Sequence, residues 1–313
     1  MNYLSVDNNV LVSLLGLFGL LILSSLITVL LKKINPEKNY TELSQRIKSW
    51  WVMVTIFTLA MLLSRNVSLV FFGLISFLAI KEYLSIIPTR RADRRILFWV
   101  YLAIPLQYYW VSMEWYGMFI IFIPVYMFLF LPMRMVIIGE TKDFLRAVGT
   151  LHWGLMTMVF SISHVAFLLV LQPTEKFAAG GAGLVLFLIF LTQFNDVAQF
   201  VWGKMLGKHK IIPKVSPNKT WEGFLGGVFT TTLFSVLLSG VLTPLSLKLA
   251  VIAGLLISAA GFIGDVTISA LKRDIGVKDS GSLLPGHGGI LDRVDSLTYS
   301  APLFFHFIYY FYY

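Results

Sequence analysis

The sequence contains no cysteine, and charged residues fill only 13% of its 313 positions. The first absence removes disulfides, thiolate nucleophiles and Cys-ligated metals from consideration. The second argues against a water-solvated globular domain, which carries about 25% charged residues. Apolar residues make up 57% of the chain, and the mean hydropathy is +0.79. That is more apolar surface than one core buries, so lipid is the expected solvent. Low-complexity tracts, internal repeats and a separate soluble domain are also lacking. No cleavable leader is expected, because the opening MNYLSVDNN lacks the positive stretch such a signal needs.

What is present is a series of long apolar runs. A span takes roughly 20 residues at about 1.5 Å each. Ten candidates fit: 10–31, 50–64, 67–87, 96–113, 117–137, 149–171, 181–203, 223–243, 247–270 and 297–313. The second is short and the last reaches the terminus, so the expected fold is all-α, a polytopic transmembrane helical bundle of about 8–10 spans.

Basic residues orient such a bundle, because they collect in cytoplasmic loops. With the N-terminus outside, alternate loops hold Lys32, Lys33, Lys38, Arg46 and Lys48, then Lys81, Arg90, Arg91, Arg94 and Arg95, then Arg134, Lys142 and Arg146. The next two hold Lys204, Lys208, Lys210, Lys214 and Lys219, then Lys272, Arg273, Lys278 and Arg293. Of the 25 basic residues only Arg65, Lys176 and Lys248 fall elsewhere. The formal charge of +9 therefore lies beside the bilayer, facing anionic lipid or a phosphorylated substrate rather than nucleic acid.

Polarity is unevenly distributed. Residues 1–180 read as transmembrane scaffold and 181–313 as a catalytic region with cytoplasmic loops 204–222 and 271–296. In the scaffold, Lys81 and Glu82 read as an interfacial pair and His152 and His164 as packing residues. The aromatic tail FFHFIYYFYY reads as an interfacial belt.

On a helix, Asp265, Ser269 and Lys272 share one face at i, i+4 and i+7. Asp265 lies about five residues, or roughly 8 Å, inside the end of its span. A carboxylate there is costly unless it is paired or metal-bound. Further on, Gly286, Gly288 and Gly289 bracket His287, and Asp292 and Asp295 follow at i, i+3. Carboxylates with few other ligand types suit a hard, oxygen-liganded ion such as Mg²⁺. Lys272, Arg273, Lys278 and Arg293 are placed to neutralise phosphate oxygens.

The preceding loop carries Ser216-Pro-Asn-Lys-Thr220, with Lys210 and Lys214 nearby, a phosphate-handling pattern in which Ser216 and Lys219 are candidate contacts. It lacks the spacing of a Walker P-loop. Asp196 lies roughly 10 Å deep in the seventh span, where an ionisable group points to a functional site.

Three blocks together are similar to the signature of the phosphatidate cytidylyltransferase (CDP-diacylglycerol synthase) family. They are Ser269-Ala-Leu-Lys-Arg273, Lys278-Asp279, and Pro285-Gly-His-Gly-Gly-Ile-Leu-Asp-Arg-Val-Asp295. The resemblance extends back through Ser216–Gly223 to about Asn195. Val197, Ala198 and Gln199 depart from the small residues the family places after its acidic residue.

The resemblance implies condensation of CTP with phosphatidate, giving CDP-diacylglycerol and pyrophosphate for phospholipid synthesis. It also implies Mg²⁺, with a second cation such as K⁺, in a funnel open to cytoplasm and lipid. By motif position, Asp265 and Asp292 are metal ligands and Lys272 contacts phosphate. Asp279, His287, Arg293 and Asp295 belong to the same signature, and Ser269 and Arg273 join the substrate contacts. The expected setting is a bacterial inner or plasma membrane, with a homodimer left open. Two rivals stand beside this reading: a CTP-dependent lipid kinase, which transfers the γ-phosphoryl group, and an ion-coupled transporter using Asp196 and Asp265.

Overall fold

The structure is a computed structural model that describes residues 7–37, 39–90, 93–172, 179–281, 283, 286 and 288–313. It is all-α, a polytopic helical bundle. The long helices are α1 (Asn8–Ile34), α2 (Thr41–Leu63), α3 (Arg65–Ile86) and α4 (Arg94–Ser112), then α5 (Tyr116–Ile138) and α6 (Phe144–Val170). The second half adds α7 (Gly180–Leu206), α8 (Trp221–Leu242), α9 (Leu247–Asp274), the short α10 (Leu291–Val294) and α11 (Leu297–Tyr312). Eight of these, all but α4, α10 and α11, are long and apolar enough to cross a membrane.

Every expected span has its helix. The second starts nine residues early, at Thr41 rather than residue 50. Hydropathy misses that extension because it is polar, yet Glu42 and Arg46 close an i,i+4 pair at 2.6 Å that supports a helix. Helix starts follow capping chemistry: Asp7 accepts from the N–H of Asn9 at 2.8 Å and Thr220 from that of Gly223 at 3.2 Å. Helices α5 and α6 each contain a π-helical turn, at Phe122–Met127 and Leu155–Phe160. His164 is buried, edge-on to Phe119 and Phe160, as a packing residue.

Side-chain links sort the loops into two ends. Arg90 reaches the carbonyls of Glu140 and Lys142, and Arg273 reaches the carbonyl of Val215. Gly286 lies against Arg46. These loops are the ones rich in basic residues. At the other end Arg65 pairs with Glu114, Gln172 binds Glu114, and Tyr313 binds the carbonyl of Gln172. The alternation of charge along the sequence thus matches the two ends of the bundle.

The second half is drawn together by small residues, which let helices approach where no hydrophobic effect drives them together. A Cβ on Gly223 would stand 3.0 Å from the Cα of Gly203, and one on Gly254 would stand 2.6 Å from the Cα of Thr232. Asn195 on α7 joins three helices: its Oδ1 accepts from Thr231 of α8 at 3.2 Å and its Nδ2 donates to the Ser258 carbonyl of α9 at 3.2 Å. Asn195→Ala removes both bonds, at about 0.6 kcal/mol or more each inside a membrane protein. The expected result is a thermal midpoint in detergent lowered by several degrees with insertion unchanged. An unshifted midpoint would show that the three helices are held by packing alone.

Candidate active site

Four segments converge at the basic end of the second half. Helix α7 brings Asp196, and the hairpin before α8 brings Lys219. The last turns of α9 bring Asp265, Ser269 and Lys272, while the signature loop and α10 bring Asp292, Arg293 and Asp295.

The hairpin explains why one lysine of its loop differs from the others. Lys210 and Thr220 form an antiparallel bridge, with Ile211 N–H donating to the Lys219 carbonyl at 3.1 Å and Trp221 N–H to that of His209 at 2.9 Å. Its neck turns Lys219 into the bundle, whereas Lys210 and Lys214 remain exposed. Lys219 Nζ meets Asp265 Oδ2 at 2.6 Å and donates to Gln199 Oε1 at 3.1 Å. Burial works against its charge, but Asp265 and Asp196 more than offset this and raise its pKa above the usual lysine value.

Around Lys219 stand further carboxylates. Asp265 also accepts from Ser269 at 3.3 Å. Asp196 receives the Ser296 hydroxyl at 3.1 and 3.0 Å from its two oxygens. Asp295 accepts the Ser296 N–H at 2.7 Å. Burial, with Asp265 and Asp196 close by, raises the Asp295 carboxyl well above the usual range. Gly264 sets this geometry, since a Cβ there would lie 2.4 Å from the Asp295 carbonyl oxygen. Only glycine lets α9 press Asp265 against that segment.

A second pair lies two turns along α9. Lys272 Nζ meets Asp292 Oδ1 at 2.6 Å, with the side chains only 12% and 7% exposed. Asp292 Oδ2 accepts from Ser280 N–H at 3.1 Å, Ser280 Oγ at 2.9 Å and Gly289 N–H at 3.1 Å. Burial pushes this carboxyl up, but Lys272 and the Ser280 and Gly289 amides win and hold it below the usual carboxylate range.

Asp265, Ser269 and Lys272 do share one face of α9, as their spacing requires. Arg293 is close enough to Asp196 and Asp295 for its charge to act on both, and its buried Nε has no partner among the described residues. Arg273, Lys278 and Asp279 are exposed outside the cluster, and Ser216 lies half-buried in the hairpin turn. His287 lies outside the described residues. Sequence reasoning missed Ser280, Ser296 and Gln199. Each is an ordinary polar residue whose role comes from a partner distant in the chain.

The donor chemistry bears on a metal. Asp196, Asp265 and Asp295 offer only carboxylate oxygens, the set a hard divalent cation takes. Among the described residues no three acidic or histidine side chains lie close enough to enclose an ion by themselves. Mg²⁺ usually leaves such places to substrate phosphates and water. Both oxygens of Asp292 are already satisfied, so a metal there requires Lys272 to let go.

The family model for the cytidylyltransferase family matches residues 44–311. The chain belongs to that family. It is also 48% identical over 298 residues to "Uncharacterized protein YnbB" of Escherichia coli K12, covering 95% of this chain and 98% of that one. It is 42% identical over 124 residues to a phosphatidate cytidylyltransferase of Staphylococcus saprophyticus. A Staphylococcus aureus protein of the same name gives 41% over 125 residues. These two alignments cover 39% of this chain and 48% of each staphylococcal protein. Membership in the cytidylyltransferase family supports nucleotidyl transfer.

Breaking a buried pair leaves its partner charged and unanswered, at about 3 kcal/mol or more. Asp292→Asn is therefore expected to lower the thermal midpoint clearly. The depressed Asp292 pKa contributes stability above the unfolded value of about 4, which is lost as pH falls through the lower folded value. The Asp292→Asn variant should lack that part of the acid dependence. A variant with wild-type stability at pH 7 and an unaltered acid profile would show that the pair contributes nothing.

Proposed function

We propose that the protein transfers the cytidylyl group of CTP to phosphatidate, releasing pyrophosphate and forming CDP-diacylglycerol. The observation that supports it most is the pair of 2.6 Å carboxylate–ammonium contacts, Lys219–Asp265 and Lys272–Asp292, along one face of α9. Each lysine is held beside an anion and can exchange that anion for a phosphate oxygen. Arg293 adds a buried guanidinium with an unpartnered Nε. Lys210, Lys214, Ser216, Arg273, Lys278 and Asp279 form an outer polar rim for the triphosphate.

The reaction makes a bond from a phosphatidate oxygen to the α-phosphorus and breaks the bond to the α–β bridging oxygen, which leaves with pyrophosphate. A phosphate monoester is largely ionised at neutral pH (second pKa about 6), so the chain need not supply a strong base. Alignment and charge neutralisation do most of the catalysis. Mg²⁺, and with it a second cation such as K⁺, would neutralise charge across the triphosphate. Asp265 would hold it beside Asp196 and Asp295, with Asp292 joining once Lys272 moves to phosphate. His287, the remaining residue of the signature, binds or orients phosphate in this reading.

The test is purified protein in detergent with Mg²⁺, phosphatidate, and CTP labelled at the α- and γ-phosphorus. The α-label should enter lipid while the γ-label leaves as pyrophosphate. The γ-label in lipid would instead identify a lipid kinase, and no transfer would remove phosphatidate as the acceptor. Asp265→Asn and Asp292→Asn are each expected to abolish turnover while leaving membrane insertion intact. Wild-type rates from either would remove that residue from the cation site.

A further inference from the structure

One side chain from the first half reaches into the signature loop. Glu82 lies in the last turns of α3. It does not pair with Lys81 among the described residues. Instead its Oε2 accepts a 2.9 Å hydrogen bond from the N–H of Leu291, 209 residues further on. Leu291 opens α10, which carries Asp292 and Arg293. A first-turn N–H has no partner within its own helix, and Glu82 supplies one.

Two glycines make room for this carboxylate. A Cβ on Gly289 would stand 1.6 Å from Glu82 Oε1, and one on Gly281 would stand 1.9 Å away. Gly286 and Gly288 have φ of 76° and 79°, which favours glycine on backbone grounds. Gly281 and Gly289 have no positive φ. What bars a side chain at these two positions is Glu82 itself. The N–H of Gly289 in turn binds Asp292 Oδ2 at 3.1 Å. The glutamate is therefore packed against the residue whose amide holds Asp292.

We propose that Glu82 is a positioning residue for the signature loop. It fixes the start of α10 and so sets Asp292 against Lys272. This deepens the proposed cytidylyl transfer and rests on that reading. Glu82 acts through Asp292, so its loss should lower kcat more than it alters the KM for CTP.

The test uses the full chain in detergent as wild type, Glu82→Gln, Glu82→Ala, Gly289→Ala and the Glu82→Ala/Gly289→Ala double variant. The readouts are kcat, the KM for CTP and hydrogen exchange of the Leu291 amide. Loss of a cap of this type corresponds to about a tenfold change. Glu82→Ala should lower kcat by about that factor, with KM within about threefold of wild type, and should speed exchange at Leu291. Glu82→Gln still offers an amide oxygen and should retain most of both properties. In Gly289→Ala the new methyl pushes the carboxylate off Leu291, so it should reproduce Glu82→Ala. The double variant should be no worse than either single one, because both remove the same bond.

Three results would overturn the proposal: unchanged kcat and exchange in Glu82→Ala, a Glu82→Gln variant as impaired as Glu82→Ala, or losses that multiply in the double variant. The exchange measurement needs no substrate. If wild type fails to act on phosphatidate, accelerated exchange in Glu82→Ala still supports the positioning role and the failure belongs to the reaction. Unchanged exchange would count against Glu82 itself.

Discussion

A charge carried into an apolar bundle has to be answered within a few ångströms, because leaving it alone costs about 3 kcal/mol even by the mildest scales. The second half of this protein is arranged around that demand. Asp265 is answered by Lys219, which a short hairpin delivers from outside the helices. Asp292 is answered by Lys272 and three hydrogen-bond donors, and Asp196 receives a serine hydroxyl. The local backbone follows from these pairings. The hairpin neck, the bend at Ser280 and the contact at Gly264 all bring a donor or a helix to the carboxylate that needs it. The same arrangement is suited to a polyphosphate, since ammonium groups already poised beside anions can change partner at low cost in reorganisation.

The bundle is also less divided than its sequence suggests. Polarity concentrates after residue 190, and the earlier helices read as inert scaffold. Yet the signature loop is gripped from that side, by Arg46 near Gly286 and by Glu82 at Leu291. A loop rich in glycine has little intrinsic rigidity, and here its shape comes from neighbours contributed by α2 and α3.

Much of this was legible from sequence, and what was missed shares a physical reason. Apolar runs of spanning length mark helices without ambiguity, and alternating basic loops sort into the two ends of the bundle. The spacing of Asp265, Ser269 and Lys272 places them on one face of α9, as found. The polar first turns of α2 escaped because hydropathy is blind to a helix held by a Glu42–Arg46 pair. Ser280, Ser296, Gln199 and Glu82 escaped because their partners lie 12 to 209 residues away. No local pattern encodes such a bond. The pairing of both signature carboxylates with lysines was equally hidden, since composition shows only that acids and bases are neighbours.

The two π-helical turns in α5 and α6 carry a consequence for how this chain tolerates change. A π turn holds one residue more than the α-helical turn it replaces. Deleting a single residue within Phe122–Met127 would restore regular α geometry, but everything beyond it would rotate by about 100° about the helix axis. Leu131 and Met135, now buried, would swing away from the core, and residues now facing outward would replace them. These turns therefore act as phase markers. On either side of them substitutions are read independently, whereas length is fixed to the residue.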